Sequence, residues 1–189
     1  MSGATPGRRH FHKRVLEFDG WLREDGNWEF EARMSDRKPF RSYGMIGTER
    51  APMEPYHHMW VRFVTDKKLV ILEIETSMLA NPYPECQQAQ ANFSSLVGVR
   101  VARGWRKAVM ERVGGMLGCN HMMELLLPLP SMVIQCTGYG PKFPDMGVED
   151  IRRFMIDNKV GPVGSCYAWR PGGGAQKQFA PHASAEAEG

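Results

Sequence analysis

No stretch of this 189-residue sequence is apolar for long enough to cross a bilayer, which takes about 20 consecutive apolar residues in a helix. The opening residues, MSGATPGRRHFHKR, are polar and basic and lack the apolar core of a secretory signal. The expectation is a cytoplasmic protein with no membrane partner. Cysteine is scarce: Cys86, Cys119, Cys136 and Cys166 lie far apart and form no CxxC pair. A zinc-finger pattern is thereby excluded, and in a reducing compartment each is a free thiol, most often a small buried hydrophobe. No glycine-rich loop follows a strand-like run and there is no P-loop, so nucleotide cofactors held by those means are not expected. Neither sign of charge dominates, since 24 basic and 21 acidic residues leave a net charge of +3. The densest basic runs are 8–14 and 100–112, and apolar residues at helical spacing interrupt the second. A nucleic-acid binder gathers its charge into a stripe, so nucleic acid is not an expected partner. No internal repeat is present.

What is present supports one core, with 42% hydrophobic residues. Residues 1–9 read as a flexible arm, 10–171 as a single α+β domain, and 172–189, rich in Gly, Ala and Glu, as a disordered tail. The first half is strand-like. From Trp28 to Met34 apolar and charged residues alternate, as a half-buried strand requires. Asp25-Gly26 precedes that run and 16–22 lies before it, which is a hairpin pattern because Gly tolerates positive φ. A loop with Pro39, Gly44, Gly47, Pro52 and Pro55 follows. A second hairpin joins 59–65 to 69–75 through Asp66-Lys67-Lys68, with Val70, Leu72 and Ile74 on one face and Glu73 and Glu75 on the other.

The second half changes to helical spacing. Helices are predicted over 89–97, closed by Gly98, and over 105–117, with Val109, Val113 and Met116 on one stripe and Gly114-Gly115 weakening the end. Another runs over 120–127, where Pro128 and Pro130 end or kink it before 131–135. The last covers 148–158 with Asp145 as cap. Strands followed by helices give α+β: an antiparallel β-sheet of two hairpins packed on one face by C-terminal helices.

The densest chemistry is Gly118-Cys119-Asn120-His121-Met122-Met123-Glu124. His121 and Glu124 are three apart and share a helix face. A carboxylate beside an imidazole sets its tautomer and raises its basicity, whereas an exposed pair of this kind contributes only a few tenths of a kcal/mol. His57 has the parity of Met59, Val61 and Phe63, the inward face, and His58 that of Trp60 and Arg62. A lone inward His is more often a hydrogen-bonded core residue than a ligand. His57, Cys119 and His121 together are a candidate set for Zn²⁺ or Fe²⁺, with Glu124 or Cys166 completing it. A Cys119–His121 pair meets only if Cys119 lies before the first helical turn, because residues two apart on a helix diverge. Trp60, Tyr83, Trp105, Met122 and Met123 suit an apolar pocket for a flat ligand, and core packing accounts for them equally.

Six segments, GWLREDGNWEFEARMSD, PYHHMWVRF, NPYPEC, LVGVRVARGWRKAV, GGMLGCNHMMELL and SCYA, resemble a bacterial family known as domain of unknown function 2889, from about residue 14 to about 169. The resemblance implies that His57 is the family's histidine and that Cys119, His121 and Glu124 form its GC-x-H-x-x-E-L motif. It places Cys86 in a PYP-x-C motif and Cys166 in a late cysteine motif. Two departures are His58, where the family favours Asp, and Tyr167, where it often has His. The family's association with aromatic catabolism implies an enzyme.

The expected function is a carbon–carbon lyase of aromatic, lignin-derived phenolic catabolism, working by acid–base chemistry and releasing a one-carbon aldehyde such as formaldehyde. No organic cofactor is demanded, because a phenolic ring is its own electron sink. Catalytic roles fall to His57, His121, Glu124 and Arg62, and substrate binding to Trp60, Tyr83, Arg23 and Tyr167. The alternatives are a metal-dependent enzyme using His57, Cys119 and His121, and a non-enzymatic ligand-binding or assembly protein. The expected partner is a small aromatic molecule, and a homo-oligomer is compatible with the sequence.

Overall fold

The computed structural model describes residues 7–158 and 164–179. Chain contacts divide it into two compact units, one ending at Cys136 and the other starting at Thr137, where the sequence reads one domain.

The first unit is built on an antiparallel sheet of four strands, β1 (Lys13–Leu22), β2 (Trp28–Arg37), β5 (Pro55–Thr65) and β6 (Ile71–Ala80), in the order β1-β2-β5-β6. Two short strands, β3 (Ser42–Tyr43) and β4 (Glu49–Arg50), pair in the intervening loop. The Asp25-Gly26 turn forms as the sequence predicts: Gly26 takes φ 79° and the Asn27 N–H donates to Asp25 Oδ1 at 3.0 Å. Alternation then sets the faces. Phe30, Ala32 and Met34 of β2 and Met59, Val61 and Phe63 of β5 are buried on one side, in direct cross-strand register.

On β6 the predicted face is corrected. Val64 pairs with Glu73 but Thr65 pairs with Ile71, so Leu72 is the extra residue of a bulge. Ile71 is therefore 1% exposed and Leu72 44% exposed. Period-two counting carries no information about an inserted residue.

The inner face is covered by a 3₁₀ segment (Pro84–Leu96), where an α-helix over 89–97 is predicted, and by α1 (Trp105–Val113) and α2 (Asn120–Leu126). Fully burying a side chain such as Phe30 or Leu125 contributes roughly 1.5–3 kcal/mol, several times an exposed ion pair like Arg62–Glu75. The inner face therefore holds α2 in place. Trp105 keeps its polar edge satisfied there by donating from Nε1 to the Leu126 carbonyl at 2.8 Å. Gly114 ends α1, because a Cβ at that position would lie 2.3 Å from the Met110 carbonyl oxygen. Pro128 separates α2 from α3 (Leu129–Thr137), as predicted.

The second unit carries α4 (Val148–Asp157) and α5 (Gly174–Phe179). Asp145 does not cap α4. It lies in a 3₁₀ turn, Phe143–Asp145, and Asp150 instead accepts the Gly147 N–H at 3.0 Å. A carboxylate at the third helical residue reaches back to the cap amide, which Asp145 has no geometry to do. The stretch read as a tail from Gly172 contains α5, and residues 180–189 lie outside the described residues.

Candidate catalytic centre

One rung of the sheet builds the centre. Arg14 on β1 pairs in register with Asp36 on β2, and Asp36 pairs with His57 on β5. Directly paired residues project from the same face of a sheet. Here that face is the inner one, so a carboxylate arrives where the alternation Phe30, Ala32, Met34 would place a fourth apolar residue. An ionised group in that position requires partners, since removing an unpaired carboxylate from water is very costly. Asp36, fully buried, has three. Arg14 donates from Nε to Oδ1 at 2.7 Å and from Nη2 to Oδ2 at 2.6 Å. His12 donates from Nε2 to Oδ1 at 2.9 Å, and His57 from Nδ1 to Oδ2 at 2.9 Å. Burial pushes the Asp36 carboxyl up, but the bonds from Arg14, His12 and His57 outweigh it and hold the group well below the usual carboxylate range.

Asp36 thereby fixes the tautomer of His57, with the proton on Nδ1 and the lone pair on Nε2. His57 Nε2 is buried and has no hydrogen-bond partner among the described residues. Burial lowers the pKa of the ring and the neighbouring His121 lowers it further, against the opposing pull of Asp36. His57 is neutral at pH 7.

His121 enters from α2. Its ring stacks on His57 with centroids 3.6 Å apart and planes at 29°. Cys119 is the residue immediately before α2, with an extended backbone (φ −119°, ψ 126°). It thus meets the condition under which Cys119 and His121 converge, and Sγ lies 4.0 Å from His121 Nδ1. Gly118 makes this approach feasible, because a Cβ there would lie 2.2 Å from the Val113 carbonyl oxygen at the end of α1. Burial raises the Cys119 thiol, but the His121 ring and the backbone amides of Met122 and His121 more than offset that, and its pKa is lowered.

Glu124 does not pair with His121. It forms an ion pair with Arg14 Nη1, tying α2 to β1. The two residues share a helix face, but another strand brings a guanidinium, a permanently charged partner for the carboxylate.

The other predicted residues lie elsewhere. Arg62 is on the outer face of the sheet, paired with Glu75 at 2.6 Å, and Trp60 and His58 share that face in a shallow groove of about 490 Å³. Arg23 is near the first turn, bonded to Glu29 at 3.2 Å. Arg62 does not reach His57, because odd and even positions of β5 face opposite ways, and Arg23 lies in the turn between β1 and β2. Tyr83 does lie by the centre: with Cys86, Ala89, Asn92, Met116 and Cys119 it lines a groove of about 620 Å³. Tyr167 and Cys166 belong to the second unit, where Tyr167 is 80% exposed and carries the Arg170 guanidinium 3.9 Å from its ring centroid.

The sequence reading missed Asp36, Arg14 and His12. The signal for Asp36 was the inward parity of β2 carried two residues past Met34. For Arg14 and His12 there was only membership of a basic run. Asp36, His57 and His121 also form a set that could hold a metal ion, with ligand-type atoms all within 4.8 Å of one another.

No curated protein and no solved structure matches this chain. A family profile does match, over residues 12–135, which include His12, Arg14, Asp36, His57, Cys119, His121 and Glu124 and exclude the late cysteine segment around Cys166. That span is more than half of the chain, and the protein belongs to the family described as protein of unknown function (DUF2889).

Proposed function

We propose that this protein is a small cytoplasmic enzyme that moves protons on an aromatic substrate, with Asp36, His57, His121 and Cys119 as its centre. The observation that carries the reading is His57, whose Nδ1 is held by a buried carboxylate while its Nε2 lone pair is buried and, among the described residues, without a partner. A neutral imidazole so oriented is poised to take a proton. Cys119, whose Sγ lies 4.0 Å from His121 Nδ1, lines the groove beside Tyr83 and links the centre to it. Tyr83, Cys86, Ala89 and Met116 offer that groove flat, apolar contacts of the kind an aromatic ring fills. A centre that uses a free thiol suits a reducing compartment, and among the described residues no helix is long and apolar enough to cross a membrane.

The reaction class we favour is carbon–carbon lysis of a phenol. A phenolate expels a benzylic oxygen substituent, which takes a proton from solvent and leaves as water or an alcohol, giving a quinone methide. A base then takes the proton of a neighbouring hydroxymethyl group, whose carbon–carbon bond breaks to free formaldehyde. The electron pair returns the ring to phenolate. The protein supplies the base and a partly dry site, and the substrate supplies the electron sink, so no organic cofactor is needed.

The test is a panel of phenols bearing a hydroxymethyl group, assayed for trapped aldehyde. Turnover by the wild type is expected, with a drop of about 10²–10⁴-fold in His57→Gln and His121→Gln at unchanged circular dichroism. Folded variants that keep full turnover refute the reading.

A further inference from the structure

We propose that the free edge of β1 pairs with β1 of a second copy of this chain, antiparallel about a two-fold axis at Leu16, so that two four-stranded sheets join into one. The inference goes beyond the reading above and does not rest on it.

The sheet has two outer strands, and they differ. On β6, Ile71 donates to the Val99 carbonyl at 2.9 Å and accepts from the Gly98 N–H at 2.8 Å, and Leu72 bulges. Covering backbone and bulges guard an edge against pairing. β1 has neither. Its 10 residues pair with β2 without a register shift, contain no proline and are mostly exposed. Among the described residues, no backbone hydrogen bond outside the β1–β2 ladder reaches Lys13–Leu22.

The hairpin turn determines which backbone groups point outward. The Arg23 N–H donates to the Asn27 carbonyl at 2.9 Å, so these two are a hydrogen-bonded pair. Bonded and non-bonded pairs alternate along an antiparallel ladder. Leu22 opposite Trp28 is therefore non-bonded, and so are Phe18 opposite Ala32, Leu16 opposite Met34 and Arg14 opposite Asp36. The N–H and C=O groups of Arg14, Leu16 and Phe18 thus face away from β2, at the open edge.

Side chains then choose the register. An axis at Leu16 sets Lys13 opposite the partner's Asp19, and by symmetry Asp19 opposite the partner's Lys13. Leu16 meets its own copy, and farther out exposed Phe11 meets exposed Trp21. Opposite charges and aromatic pairs directly across a ladder stabilise a sheet, and like charges destabilise it. An axis at Glu17 sets that carboxylate against its own copy, and one at Phe18 sets Glu17 against Asp19. An axis at Val15 matches Lys13 with Glu17 but sets Phe11 against Asp19. The Leu16 register also brings the partner's Phe18 opposite Arg14 on the inner face, beside the guanidinium that holds Asp36. Two-fold dimers with one self-complementary patch are the commonest homo-oligomers.

The experiment is sedimentation of reduced, full-length protein over a concentration series, with circular dichroism as the check on folding. Wild type is expected to be a dimer that dissociates on dilution. Asp19→Lys makes both cross-copy pairs repulsive and should raise the dissociation constant about 10–100-fold. Lys13→Asp combined with Asp19→Lys exchanges the signs and should restore the dimer. Leu16→Cys should crosslink to its own copy under mild oxidation, because a hydrogen-bonded pair holds its Cα atoms about 5.5 Å apart, within disulfide range. Val15→Cys, off the axis, should crosslink no more than wild type. A monomer at every concentration overturns the proposal and leaves the edge to a strand of another protein. A dimer that Asp19→Lys leaves intact, or that the folded double variant fails to restore, overturns it as well.

Discussion

Replacing Asp36 by Asn isolates the charge at the middle of the rung while leaving its shape. Removing one partner of a buried ion pair costs about 3–5 kcal/mol, because the remaining charge is stranded. Here the remaining charge is Arg14, whose side chain is 32% exposed and retains Glu124. That puts the cost at the low end, near 3 kcal/mol, or roughly 6–12 °C in melting temperature for a chain of this length. The pH dependence is the sharper test. The folded Asp36 carboxyl sits below its unfolded value, so its stabilisation is fully present above about pH 4–5 and is lost as the pH falls toward the folded value. The Asn variant has no such group. The gap between wild type and variant is therefore constant from pH 5 to 7 as far as Asp36 is concerned and narrows below pH 4. His57 adds a term of the same sign, because its folded value is depressed below about 6.5 and its contribution is present above that and lost on acidification. Asp36 props the His57 value up, so the Asn variant depresses it further and loses more of its own stability between pH 6.5 and 5. Thermal melts by circular dichroism at half-unit pH steps measure all of this. A variant within about 1 kcal/mol of wild type at pH 7, or a gap that does not narrow below pH 4, would refute the argument.

Two further outcomes follow from the geometry. Ile71→Ala is expected to cost about 2–4 kcal/mol as a core truncation, whereas Leu72→Gln should stay within about 0.5 kcal/mol, since the bulge turns it outward. Urea midpoints measure both, and equal losses would place the bulge elsewhere. In metal-free protein at pH 7, iodoacetamide should label Cys119 faster than Cys136, whose thiol burial pushes up, and His121→Gln should slow Cys119 labelling. Peptide mass mapping over time reads the order, and faster labelling of Cys136 would contradict it.

Much of the architecture is carried by local pattern. Alternation along 28–34 and 57–63 specifies which side chains face inward, because a strand's side chains have a period of two whatever it pairs with. The same counting puts His57 in and His58 out. Asp25-Gly26 makes its turn and Gly114 ends its helix for equally local reasons, a positive φ and a carbonyl too close for a Cβ. Three things were decided only in the tertiary structure. Asp36 meets Arg14 and His57 because of cross-strand register, a relation between residues more than 20 apart that no local period records. Glu124 takes Arg14 rather than its own helical neighbour because a charged partner arrives from another strand. Leu72 turns outward because the partner strand loses register at Val64/Thr65. Periodicity states which way a side chain faces, and only the packed chain states what it meets there.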